Sequence, residues 1–195
     1  MTKHRLSFAG TKKYVLCPAA GGHRCGHGQQ THSKVSKETK ERIINSWYNA
    51  LIVSGKGRNF DYPFLTAKLR KLWNLDFYMV AIGSGYFIIK FANTDQLFRV
   101  ATGGPWFVQG VKISMQLWSP NFVCKNPVQA EIVWVRLPNF DSQVVAEIGS
   151  SMGKFLQVDT HSVNGDRGRF SRLCLQIDDL HNTPTEINID GFFQE

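Results

Sequence analysis

Apolar residues recur along this chain in two rhythms, and the switches between them mark out its elements. From Met1 to about Val35 neither rhythm is sustained, and Gly, His, Gln, Ser and Lys dominate, the pattern of a mobile segment. Order is expected from Ser36, which can cap a short helix with Glu38 in its first turn and Ile43, Ile44 and Trp47 on one face. That helix is expected to pack on the strands and helices after it. Ala50 to Ser54 is a short apolar run ended by Gly55 and Gly57, which reads as a buried strand. Behind Asp61, a suitable N-cap, and Pro63, which the first turn tolerates, Leu65, Leu69, Leu72 and Trp73 repeat at helical spacing. Phe77 to Ile82 and Tyr86 to Phe91 predict two strands joined tightly through Gly83-Ser84-Gly85. A helix over Asp95 to Ala101, capped by Asn93 or Thr94, turns Leu97, Phe98 and Ala101 inward and stops at Gly103-Gly104-Pro105. Val111 to Trp118 alternates Val111, Ile113, Met115 and Leu117 against Lys112, Ser114, Gln116 and Trp118, a half-buried strand.

The order is βαββαβ, that of RNA-recognition-type domains. A link with Pro and Asn runs from Ser119 to Gln129, and a related, shorter cycle comes after it. Ile132 to Leu137 predicts a strand, Asp141 or Ser142 caps a helix through Met152 that ends at Gly153, and Phe155 to Asp159 and Phe170 to Asp178 pair through a loop with Asn164-Gly165. Thr185 to Ile189 is a candidate edge strand. The predicted class is α+β: a basic, flexible arm over 1–35, an RNA-recognition-like sandwich with a leading helix over 36–120, and a smaller βαββ unit over 130–190 packed on the first.

Net charge is +8, and its distribution matters more than its sum. Residues 1–58 carry +9, residues 59–172 carry +4 and the tail carries −5. A polyanion partner is therefore expected at the arm more than at the fold. No run approaches the roughly 20 apolar residues of a membrane span, and Met1 to Gly10 lacks the apolar run of a signal peptide, so no membrane partner and an intracellular setting are expected. Cys17, Cys25, Cys124 and Cys174 are too few and scattered for a disulfide framework.

Gly85-Tyr86-Phe87-Ile88-Ile89-Lys90-Phe91, then Gly103-Gly104-Pro105-Trp106, then Trp118-Ser119-Pro120 resemble a plant-specific domain of unknown function. That domain occurs in proteins related to the first open reading frame of LINE-type retrotransposons, commonly followed by a CCHC zinc knuckle. Val133-Trp134-Val135-Arg136-Leu137-Pro138, Ile148-Gly149 with Gly153-Lys154, Val158-Asp159 and Arg172-Leu173-Cys174 continue the pattern, which runs from about Trp47 to Ile189. The knuckle implied after Ile189 is not in this sequence, so zinc-dependent binding is not carried over. The resemblance implies a nuclear setting and a nucleic-acid association.

Candidate chemistry adds little to this. Tyr86, Ile88 and Lys90 share the open face of the predicted third strand, where only Tyr86 offers a stacking ring, and Ile88 and Ile52 stand where such domains often carry aromatics. An apolar open face calls for cover, and the second unit is expected to supply it by burying Tyr86 and Trp118. The five tryptophans lie beside apolar neighbours at core spacing. Gly55-Lys56-Gly57 lacks the spacing of a phosphate-binding loop. Cys17, His23, Cys25, His27 and His32 fit no usual zinc spacing. Asp159, Asp166, Asp178 and Asp179 read as solvated acids, not as a two-cation centre. No catalytic residues, metal ligands or cofactor are assigned, and a binding role is expected. The candidate nucleic-acid contacts, for RNA or single-stranded DNA, are Lys12, Lys13, Arg24, Lys34, Lys37, Lys40, Tyr86, Lys90 and Lys112. A protein-interaction or self-assembly module of a retroelement particle, with a protein partner or a second copy, is the alternative.

Overall fold

The structure is a computed structural model that describes residues 36–125, 129–138, 142–159 and 170–178, together with the strand segments 187–189 and 192–194. The arm over 1–35, with Lys12, Lys13, Arg24, Lys34 and the Cys/His group, lies outside the described residues.

Helix α1, Lys37–Trp47, begins where Ser36 Oγ accepts the Thr39 N–H at 3.2 Å, an N-cap that satisfies one orphan donor. Contrary to expectation, this helix buries none of its residues: Ile43 and Ile44 are 44% and 42% exposed, and Trp47, partly buried, stacks on Trp118. Strand β1, Ala50–Gly55, starts after two intervening residues and is buried over its first four, as a central strand covered on both faces must be. Helix α2, Tyr62–Trp73, buries Leu65, Leu69 and Trp73, while Leu72 falls outside the stripe at 39% exposure. Its C-cap Asn74 takes a left-handed conformation with φ of 50°, one of the few that a non-glycine residue adopts readily.

Strands β2, Tyr78–Gly83, and β3, Tyr86–Lys90, pair antiparallel through Ser84-Gly85, both at positive φ as a two-residue hairpin turn requires. Helix α3, Thr94–Thr102, is capped by Asn93, whose Oδ1 accepts the Gln96 N–H at 2.9 Å. Its inward positions are Leu97, Val100 and Ala101; Phe98, expected inside, sits one position off that stripe and is 37% exposed. A two-residue strand that periodicity does not predict, β4, Phe107–Val108, turns through Gln109-Gly110 into β5, Val111–Leu117. The sheet order is β2-β3-β1-β5-β4, antiparallel throughout, and α2 and α3 cover the face that carries Leu51, Val53, Met79, Ile89 and Ile113. This is the RNA-recognition-like arrangement.

The second unit runs β6, Glu131–Pro138, α4, Ser142–Met152, β7, Lys154–Val158, and β8, Phe170–Ile177, in the order β6-β8-β7. It repeats the connectivity of β1-α2-β2-β3, down to a register shift in the edge strand that follows the helix, Ala81/Gly83 in one and Phe155/Gln157 in the other. One face packs Leu173, Leu175 and Leu137 against Val145 and Ile148 of α4. The opposite face, through Ile132, Trp134, Leu156 and Cys174, joins the core of the first unit. Burial pushes the Cys174 thiol up to about 12, so it packs there as a small apolar group. Trp134 Nε1 donates to the Thr102 carbonyl at the end of α3 (3.2 Å), and the Leu117 N–H donates to Gln176 Oε1 (2.7 Å). Ile187–Ile189, β9, pairs with Phe192–Gln194, β10, as a separate hairpin and not as an edge strand of either larger sheet.

Glu131, at the start of β6, is 7% exposed and lies between two cations, Lys112 Nζ at 2.6 Å and Lys56 Nζ at 3.7 Å. Removing a cation strands a nearly buried carboxylate, whereas neutralising the acid leaves two ammonium groups that water still reaches. Lys112→Met is therefore expected to cost about 2 kcal/mol and Glu131→Gln only about 1, measured by denaturant unfolding. The reverse order would show that the carboxylate is not held by Lys112.

Candidate nucleic-acid interface

The face of the first sheet away from α2 and α3 consists of three rows set by strand register. Ser114, Ser54 and Tyr86 form one, Gln116, Ile52, Ile88 and Val80 the next, and Ala50, Lys90 and Tyr78 the third, with Trp118 N–H donating to Ala50 O at 2.9 Å beside it. Tyr86 and Lys90 thus share a face at opposite ends of β3, and Lys112 enters the same face from β5, where Glu131 engages it.

The cover of this face differs from the one expected. Tyr86 meets Phe122 of the link edge-on, at 5.2 Å between ring centroids and 66° between planes, and Trp118 stacks on Trp47 at 6.4 Å and 24°. Cys124, buried, donates its thiol to Ile82 O at 3.5 Å, and Gln129 Nε2 donates to Val123 O at 3.0 Å, so Ser119–Lys125 folds back along the sheet. Among the described residues the second unit's opposite apolar face packs on the flank of the first unit's core. Ile52 is 1% exposed. Burial holds the Tyr86 phenol above its usual range, the nearby Cys124 thiol adds to this, and a hydrogen bond with Ser54 opposes it. What stays open beneath the link is a cleft of about 240 Å³ lined by Ile52, Ser54, Lys56, Tyr86, Gln116 and Glu131.

At the other end of the face, Lys90 Nζ lies 5.8 Å from the centre of the Trp47 ring, and Tyr78, its cross-strand partner, is 62% exposed. Sequence reasoning passed over Tyr78. The signal was available in the alternation of Phe77 and Met79, which point to the core, with Tyr78 between them. Lys37 and Lys40 stand on α1, apart from this face in the chain and with Lys37 paired only loosely to Glu41 at 4.0 Å. Of the four acids weighed as a metal centre, Asp166 and Asp179 lie outside the described residues. Asp159 sits beside Arg172, its N–H donating to Arg172 O, while Asp178 stands just past the far end of β8, roughly 20 Å away along the strand.

Residues 43–126 match the sequence profile of a domain of unknown function (DUF4283). No curated protein matches the sequence. Among solved structures the chain is similar to one titled Sxl-lethal protein/RNA complex, at 12% identity and a TM-score of 0.32, over 68% of this chain and 83% of that one. It is also similar to the C. elegans NONO-1 homodimer, at 11% identity and a TM-score of 0.31, over 70% of this chain and 52% of that one, about half its length. The matched residues, 43–126, span the five-stranded unit together with the link that lies on its open face.

Proposed function

We propose that this chain is a non-enzymatic, nucleic-acid-associated module of a retroelement-derived plant protein, binding single-stranded RNA or DNA mainly through basic residues. The observation that carries the reading is the state of its recognition-type sheet: the strand order suits base stacking, yet the one ring that the two central strands β1 and β3 turn to the open face, Tyr86, is capped by Phe122. Affinity then comes chiefly from phosphates, met by Lys12, Lys13, Arg24, Lys34, Lys37 and Lys40 in a segment of charge +9. The anchors from Val133 to Cys174, beyond the matched residues, support the retroelement origin. The separation of Asp159 from Asp178 supports a binding role over a two-cation hydrolytic one.

Filter binding of single-stranded RNA and DNA at two salt concentrations tests this. The expected result is measurable affinity at about 50 mM salt that falls by a factor of about 10² to 10³ at 200 mM, alike for both polymers and for different sequences. No binding at the lower salt, or magnesium-dependent cleavage abolished by Asp159→Ala, would sink the reading. A self-assembly or protein-interaction role is the second reading, favoured by the exposed Ile43 and Ile44 of α1; a concentration-dependent sedimentation coefficient that Ile43→Ser removes would select it.

A further inference from the structure

We infer that the sheet takes one unpaired base at the corner where β2 and β3 meet the end of α1, with Tyr78 as the stacking ring and Lys90 as the adjoining phosphate contact. The inference rests on the nucleic-acid reading proposed for the chain and adds a site to it. In a recognition-type sheet bases stack on rings of the central strands. Here that position is taken, because Phe122 already lies against Tyr86 and Ile52 is only 1% exposed.

The same face is open at its other end. Tyr78 is 62% exposed, and since Phe77 and Met79 are 7% and 3% exposed in the core, its ring stands on the open face. Lys90 is directly opposite in the register, where cross-strand side chains are about 5 Å apart at Cβ. The ammonium is steadied by the Trp47 ring, which is itself stacked on Trp118, so the cation is held next to Tyr78 and does not sweep freely. Asp76, two residues before Tyr78, is engaged by Arg70 at 3.7 Å. A ring beside a fixed ammonium matches a base beside its phosphate. Only a single strand presents an unpaired base face, which makes single-stranded nucleic acid the occupant and leaves duplex out.

An exposed tyrosine on an edge strand can also be there simply as a good strand former. Anisotropy of a labelled short oligouridylate, and of the corresponding oligothymidylate, titrated with the full chain, separates the two. Tyr78→Ala is expected to weaken binding at least about fivefold with the salt slope unchanged, and Tyr78→Trp to restore it. Lys90→Gln is expected to weaken binding and make the salt slope shallower by about 0.7, the share of one phosphate on a single strand. Phe107→Ala, which removes a ring 54% exposed on the opposite edge strand β4, should change nothing. Because Tyr78 is exposed, the alanine variant should melt with the parent, and Lys90→Gln gives an independent reading if it does not. If the parent binds and Tyr78→Ala stays within about twofold of it, the platform is wrong while the phosphate-driven reading stands. If the parent binds neither oligonucleotide at low salt, both fall together.

Discussion

Trp106→Ala is expected to destabilise the fold by about 3 kcal/mol, the low end of the range for truncating a core tryptophan. The indole is only partly buried, which sets the low end, but three contacts act on it at once. Its Nε1 donates to the Val100 carbonyl at 2.8 Å, in the last turn of α3, and its ring meets Trp73 edge-on at 6.3 Å. It also packs on the core formed by α2, α3 and the sheet. Gly103 is part of the same device: a Cβ there would stand 2.9 Å from Trp106 Cζ2 and 2.5 Å from the Arg99 carbonyl, so the glycine lets the ring lie flat over the helix end. For a domain of this size a loss of 1 kcal/mol moves the thermal midpoint by about 2 to 4 °C, so a drop of about 6 to 12 °C is expected by calorimetry. Trp106→Phe keeps most of the apolar contact and loses the hydrogen bond, at about 1 kcal/mol. A midpoint for Trp106→Ala within a degree or two of the parent would remove the indole from the set of structural anchors.

The device around Trp106 was legible in the sequence because its parts are adjacent: a helix stop, two glycines, a proline and an indole. The same holds for most of the first unit, where each element carries its own period and the turns at Gly83-Ser84-Gly85 and Gly103-Gly104-Pro105 delimit it. Periodicity gives the faces of an element but not which elements meet. Val111 to Trp118 shows Lys112 pointing away from the core, and nothing local says that Glu131 will be waiting for it across the link. Ser119 to Lys125 has no period at all, so its path over the sheet, with Phe122 on Tyr86, became visible only in three dimensions. The apolar open face was correctly read as needing cover. The covering group was misassigned because the second unit's two apolar faces are both used, one by α4 and one by the first unit. Strand β4 is too short to carry a period, and Phe98 lies beside the inward stripe of α3, where one position decides burial.

These assignments bear directly on where affinity resides. Removing residues 1–35 is expected to abolish most binding to single-stranded RNA, because that segment holds Lys3, Arg5, Lys12, Lys13, Arg24 and Lys34 with no acid among them. The cut leaves Ser36 in place, so the cap of α1 and its exposed Lys37 and Lys40 survive. At about 0.7 per phosphate contact on a single strand, six cations make the salt slope shallower by at most about 4, and affinity at low salt should fall by a factor of ten or more. Tyr86→Ala in the full chain should behave differently, changing affinity little once any loss of stability is allowed for, since Phe122 occupies the ring before a base can. What binding persists in the shortened chain should then be the share of Lys37 and Lys40 together with Tyr78 and Lys90: weak, shallow in salt and weakened further by Tyr78→Ala. Near-full RNA affinity in the arm-deleted chain, with a large drop for a Tyr86→Ala variant that still folds, would instead mean that the link gives way to RNA and that the centre of the sheet is the binding site.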